Sequence, residues 1–340
     1  MSLLSHVASY IVQPKIQHLL LHVTDKCNLR CRHCFVDLRQ TNTIPVPKVK
    51  ELAKNLGSIL WLDISGGEPF ILDELPELIA PFDCEFLQIP TNGHYPETIA
   101  AMVPMILRST QARETIISVS IEGFREEHQR IRRNKENFDL AFESLRILRR
   151  IADENPHLRV KCNTVITNDN FDQLVEFMRF MQDSKLIDFH SIIMLRGDPK
   201  NPDTKLPYID KLKAKRPEIF EILDRYLWGS GIFKRILLRK YYCFLWDVSL
   251  ANLEQQTQVI PCTAGKSHLV IWANGDVSSC ELLPPVGNVF EQPLPEILNR
   301  ERMEAQLKYI RNKQCYCTHN CVMLDSIFFN PKNYLKLLFR

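Results

Sequence analysis

Near the N-terminus an eight-residue stretch holds three thiols, Cys27, Cys31 and Cys34, spaced C-x3-C-x2-C. Three thiolates this close can converge on one metal centre when the backbone curls into a loop. A closed structural zinc site wants four protein ligands. A [4Fe–4S] cluster held by three cysteines instead leaves one iron open for an outside ligand. His33 could complete a zinc set, but its neighbour Cys34 makes that geometry awkward, so the spacing favours iron–sulfur. A second group, Cys262, Cys280, Cys315, Cys317 and Cys321, lies near the C-terminus. The eleven cysteines are odd in number and unevenly spread. Without a secretion signal, such clusters point to metal binding rather than disulfides.

The elements that must position these thiols alternate. Residues 18–24 read as a short apolar strand, so the first cysteine loop leaves a strand end. Further strands are expected at 59–64, 85–90, 115–121, 158–166 and 188–195. Helical patterns fall at 45–56, from Pro76 to Ala80, and at 96–109, 136–153 and 170–183. On 136–153, Phe138, Ala141, Phe142, Leu145, Ile147 and Leu148 form an apolar stripe. Strands apolar on both faces, alternating with helices, define an α/β fold with a parallel sheet covered by helices. About six βα units fit between 18 and 200. A full eight-unit barrel needs about 250 residues, so a partial barrel or an open doubly wound sheet fits better. Residues 198–217, rich in proline and charge, read as a linker, and 218–246 as helical and basic-aromatic. A hairpin-like SHLVIWANGDVSSC follows, then one helix over LPEILNRERMEAQLKYI. The expected division is 1–200 core, 201–254 linker and helical segment, and 255–340 a small cluster domain.

Composition narrows the class. A chain that is 45% hydrophobic and 24% charged is ordinary for a globular protein. A net charge of +3 does not argue for nucleic acid as a partner. No apolar stretch approaches the roughly 20 residues of a membrane span. The N-terminus has no basic residue before Lys15 and no clear small-residue cleavage site, so it is not read as a signal peptide. The cytoplasm, a reducing compartment, is the expected location.

The C-x3-C-x2-C loop after the first strand resembles the signature of the radical SAM superfamily, and further motifs follow in order. Ser65-Gly66-Gly67-Glu68-Pro69 resembles that family's GGEP turn, and Pro90-Thr91-Asn92-Gly93 its TNG turn. Ser118-Val119-Ser120-Ile121-Glu122-Gly123 resembles its fourth strand. His128-Gln129-Arg130-Ile131-Arg132 resembles the segment that follows, and Asn163 to Ile166 with Asn170 resemble its fifth strand. Each alone is an ordinary turn or strand; their order makes the likeness specific. The resemblance implies a (β/α)6 partial TIM-type barrel and a [4Fe–4S] cluster on Cys27, Cys31 and Cys34. S-adenosyl-L-methionine (SAM) would be held by Gly66, Gly67, Glu68, Pro69, Thr91, Asn92, Ser118, Ser120, Arg132 and Asn163. Glu68 would accept from its ammonium, and the two glycines would let backbone approach the ligand. One-electron cleavage would give a 5′-deoxyadenosyl radical that abstracts hydrogen from substrate, with flavodoxin or ferredoxin as electron donor.

Cys262, twelve residues, Gly275, four residues and Cys280 resemble the opening of SPASM and Twitch domains, as does Gly287-Asn288-Val289 with Leu294 and Ile297. The last group, C-x-C-x3-C, departs from the full SPASM pattern, which implies one auxiliary [4Fe–4S] cluster rather than two. Cys262, Cys280 and Cys321 match best, with Cys315 or Cys317 fourth and Cys243 an outside candidate. His319 is expected to be an exposed loop residue. Cys84 and Cys162 read as buried apolar residues.

About 17 residues precede the first strand. A peptide-recognition domain is therefore not expected there, which favours a small-molecule or metabolite substrate. A peptide-modifying enzyme and a non-catalytic metal protein stay open as alternatives, and the outcome (oxidoreductase, transferase or lyase) is not fixed. The basic-aromatic stretch at 232–247, with Lys234, Arg235, Arg239 and Lys240, and the tail NYLKLLFR could meet an anionic membrane. A helix packed on the barrel with a solvated basic face is the expectation.

Overall fold

A computed structural model describes residues 3–37, 39–226 and 232–333. Helix α1 (Leu3–Val12) leads into β1 (His18–Thr24). Then follow α2 (Val46–Leu56), β2 (Ile59–Gly66), α3 (Leu75–Ile79), β3 (Cys84–Thr91), α4 (Pro96–Ser109) and β4 (Glu114–Ser120). Helices α5 (Arg125–Arg132) and α6 (Asn137–Glu154) precede β5 (Leu158–Ile166), α7 (Leu174–Ser184) and β6 (Phe189–Met194). The rest comprises α8 (Ile209–Leu223), α9 (Ile232–Gln255), β7 (His268–Ile271), β8 (Asp276–Ser278) and β9 (Gly287–Asn288). Helices α10 (Leu294–Leu298), α11 (Glu301–Arg311) and α12 (Asn320–Phe328) complete it.

Strands β1 to β6 are parallel and paired in chain order, the arrangement of a (β/α)6 partial barrel. Their outward faces, with Leu19, Leu21, Ile64, Leu87, Ile89, Ile117, Val119 and Val160 among them, form one core with the helices. The inward faces differ: along β3 and β5 every second residue, including Gln88, Lys161 and Asn163, is only half-buried. The strands therefore surround a lumen rather than a packed centre.

The sheet does not stop at β1. Strand β7 lies parallel to it, His18 opposite His268, and β8 and β9 add antiparallel edges. Helix α12 packs against the inward side of β1 and β2. Its Asp325 reaches His18 Nδ1 at 3.1 Å, while His18 Nε2 meets Asp63 of β2 at 3.2 Å. Burial alone would lower the His18 pKa; the two buried carboxylates outweigh it and raise it to about 10. An imidazolium clamped between two carboxylates thus fastens α12 to β1 and β2.

Three expectations need correction. Residues 209–217 are not linker but open α8, whose Leu212, Ile219, Phe220 and Ile222 are buried; intervening lysines and Pro217 hide the period. The helix expected over 294–310 breaks where Arg300 is extended. Helices α1, α5 and α12 were not anticipated. Within α9, Tyr241, Phe244 and Leu245 are buried and Arg239 pairs with Asp224. The side chains of Lys234 and Arg235 and the tail 334–340 lie outside the described residues.

Candidate active site and second cysteine cavity

The loop after β1 brings Cys27, Cys31 and Cys34 to one side of a cavity of about 220 Å³ at the C-terminal ends of the strands. Gly66, Gly67, Glu68, Pro69, Thr91, Asn92, Ser120 and Arg132 border the same cavity. Ser118 and Asn163 do not reach it; they sit two residues lower on inward faces, where Ser118 Oγ and Asn163 Oδ1 have no hydrogen-bond partner among the described residues. Burial pushes the Cys27 thiol up to about 11. Cys31 is also raised by burial, with the Arg132 guanidinium opposing. Neutral thiols in this setting must release protons to ligate metal, and three such thiols facing an open cavity fit a cluster with one free iron.

The glycines are required for a reason other than ligand approach. A Cβ on Gly67 would lie 1.9 Å from the Lys26 carbonyl oxygen, and one on Gly66 2.2 Å from that of Thr24. The backbone of the cysteine loop occupies that space. Gly67 N donates to Thr24 O at 2.7 Å and Glu68 N to Lys26 O at 2.8 Å. The GGE turn is thus the cradle of the cysteine loop. Glu68 is buried and accepts from Thr91 Oγ1 (2.7 Å), Asn92 N (2.7 Å) and Phe70 N (3.2 Å). Burial raises its pKa despite these donors. A carboxylate has about four acceptor positions, so one is left for a ligand.

Arg132 does not sit in a solvated charge run. It is buried, pairs with Glu122 and donates to Cys31 Sγ at 3.5 Å. Glu122 also accepts from Val165 N at 2.9 Å, and Asn170 Nδ2 donates to the Glu122 carbonyl at 2.6 Å. His128, its pKa lowered to about 4 by burial, accepts from Glu122 N through Nδ1 and meets Asn137 through Nε2. Sequence reasoning missed Arg196, which borders the cavity, stacks over Phe35 and pairs with Glu281 at 2.9 Å. Its place at the C-terminal end of the last barrel strand was the available signal.

A second cavity, about 260 Å³, is bordered by Cys262, Cys280, Cys315 and Cys317 among apolar side chains such as Ile260, Leu282, Ile310 and Val322. Burial raises all four thiols, Cys262 to about 12. Four thiols suit one closed cluster. Cys321 does not border this cavity. Helix α12 begins at Asn320 and turns it away, so that its Sγ donates to Asp63 Oδ2 at 3.3 Å. Cys243 borders neither cavity. His319 is fully buried, with Nε2 2.9 Å from Glu281, not an exposed loop residue. Cys84 and Cys162 are buried in the strand core as expected.

Comparison with known proteins agrees with this geometry. Residues 21–181 match the radical SAM superfamily model, and residues 262–322 match SPASM, an iron–sulfur cluster-binding domain. The chain carries a radical SAM superfamily domain followed by a SPASM domain. It is an enzyme of that class with a C-terminal SPASM domain, and its cofactors are a [4Fe–4S] cluster with SAM and auxiliary iron–sulfur. An S-adenosylmethionine-dependent nucleotide dehydratase of Fibrobacter sp. (strain UWH6) is 29% identical over 171 residues, 45% of this chain and 49% of that one. The subtilosin biosynthesis protein AlbA of Bacillus subtilis is 22% identical over 84% of this chain and 60% of its own length. Overall, the chain spans about half the length of the first curated relatives it matches. Among solved structures, Streptococcus suis SuiB bound to its precursor peptide SuiA superposes with TM-score 0.62 at 17% identity, covering 89% of this chain and 70% of that one. At this identity the likeness concerns the fold. No described helix is long and apolar enough to cross a membrane.

Proposed function

We propose that this enzyme generates a radical at the first cavity and uses it on a compact small-molecule or metabolite substrate held in the lumen below. The observation that carries the reading is the shared border. Three thiols, the Glu68 carboxylate, the Thr91–Asn92 turn, Ser120 and Arg132 all meet one cavity at the barrel mouth. Cys27, Cys31 and Cys34 would hold a [4Fe–4S] cluster with SAM at its open iron, and that pair would supply reductive cleavage of SAM to methionine and a 5′-deoxyadenosyl radical, given one electron from a flavodoxin- or ferredoxin-type donor. The chain's own residues do the rest. Glu68 accepts from the SAM ammonium, Arg132 holds positive charge against Cys31, and the barrel wall excludes water.

Cys262, Cys280, Cys315 and Cys317 are the proposed ligands of one auxiliary cluster. The proposed division is a core over 1–200, a helical connection over 201–254 and a cluster domain over 255–340. Helix α12, lying against the inward side of β1 and β2, narrows the lumen, which supports a compact substrate over a peptide.

The test is anaerobic reconstitution with dithionite and SAM, followed by assay for 5′-deoxyadenosine. Its absence with intact clusters overturns the enzyme reading in favour of a structural metal protein. Stimulation by a peptide fraction of cell extract, and not by the small-metabolite fraction, overturns the substrate class.

A further inference from the structure

The inward faces continue below the first cavity. Ser65, Pro90, Ser120 and Val165 border it; two residues earlier on the same faces stand Asp63, Gln88, Ser118 and Asn163. Lys161 comes one layer deeper on β5, about 13 Å along the strand from Val165. It is deep in the barrel, yet its side chain is partly open to the lumen.

Lys161 Nζ donates to Gln88 Oε1 at 2.9 Å, and among the described residues that neutral amide is its one hydrogen-bond partner. Asp63, Cys321 and Cys162 are the titratable groups that act on it. Asp63 is committed elsewhere, accepting from His18, Trp61 and Cys321. Asp63 favours the ammonium only from beyond ion-pair distance, and a buried ammonium whose one hydrogen bond goes to an amide gains from a counter-charge in contact with it. Ser118, opposite Lys161 across β4 and β5, is wholly buried, and among the described residues neither its Oγ nor Asn163 Oδ1 above it has a partner. Polar atoms left unpaired in one chamber, beside an ammonium with no carboxylate in contact, mark a site open to a polar ligand.

We propose that Lys161 anchors an anionic group of the substrate, a carboxylate or a phosphate, deep in the lumen. This rests on reading the lumen as the substrate chamber. Ser118 donates its hydroxyl beside the anion, and Asn163 Oδ1 accepts from a donor higher on the same molecule. The reactive C–H then points up toward the first cavity. Specificity follows the same geometry: a neutral analogue leaves the cation buried and unpaired.

The experiment uses cluster-reconstituted full-length protein without SAM. Inorganic phosphate and succinate are titrated separately by calorimetry at low ionic strength. Wild type binds at least one of them; Lys161→Gln weakens that binding at least about tenfold, and Lys161→Arg keeps it within about threefold. Binding of phosphate alone assigns a phosphorylated substrate, of succinate alone a carboxylate, and of both the anion class. No binding by wild type, or equal binding by the Gln variant, overturns the proposal. Should the Gln variant not fold, protection of Lys161 from reductive methylation by the same anions in wild type supports the anchor, and lack of protection overturns it. Because SAM is absent, this result stands apart from the 5′-deoxyadenosine assay, so failure of one is distinguishable from failure of the other.

Discussion

The two cysteine cavities are of similar size but opposite in character. The first has three thiols on one side and a carboxylate, amide, hydroxyl and guanidinium on the other. The second has four thiols set largely among apolar side chains. Three donors leave a coordination position for chemistry, whereas four close the centre and leave it to structure or electron transfer. The count of thiols and the polarity of the wall opposite them separate a reactive centre from a closed one.

The largest effect that could break this contrast is the loss of one ligand on each side. Cys27→Ala is expected to abolish 5′-deoxyadenosine formation, with iron falling by about four per chain. Cys280→Ala is expected to lose a similar amount of iron while SAM cleavage stays measurable. Iron analysis beside the cleavage assay checks both, and loss of cleavage in both would erase the distinction. Next in size, Glu122→Gln removes the partner of a buried guanidinium beside Cys31. Breaking such a pair costs about 3–5 kcal/mol, to be read from the urea midpoint; a change within error would mean that Arg132 finds another counter-charge.

A smaller effect concerns pH. The His18 pKa is raised to about 10 in the folded state, against an ordinary value near 6.5. Its clamp is therefore fully present below about pH 6.5 and is lost as pH climbs toward 10. Asp63 and Asp325 are held down by His18 against the upward push of burial, so their contribution is lost on acidification below the ordinary carboxylate range. The melting temperature should fall between pH 6.5 and 10, and His18→Gln should flatten that limb; an unchanged slope would remove the imidazolium from the account. The smallest expected effect is the most pointed. Cys321→Ser should leave iron content unchanged, whereas Cys317→Ala should lower it. Iron loss in the serine variant would return Cys321 to the ligand set.

Much of the barrel is readable because its strands are apolar runs between clear breakers, and the order of motifs fixes the cysteine loop. What does not read has local causes. The spacing of Cys317 and Cys321 permits a shared metal, but helix α12 starts between them and turns the second thiol toward Asp63. His319 looks like a loop residue until Glu281 and Arg196, distant in sequence, close around it. The glycines at 66 and 67 are legible as required, yet the atoms that require them belong to the protein's own loop. Lys161 looks like an ordinary strand residue, since nothing nearby in sequence shows that its ammonium meets an amide rather than a carboxylate.

The pairing of β1 with β7 has a consequence for biosynthesis. His18 and His268 are register partners separated by 250 residues. The first strand leaves the ribosome long before the strand that covers its outer edge exists, and every residue of β1 is buried in the finished molecule. Until β7 arrives, the nascent chain carries an apolar, unpaired edge of the kind that recruits other chains. Slower translation lengthens that interval, and a chain truncated before residue 268 never ends it. Such truncations are expected to aggregate even with the six-strand barrel intact in sequence.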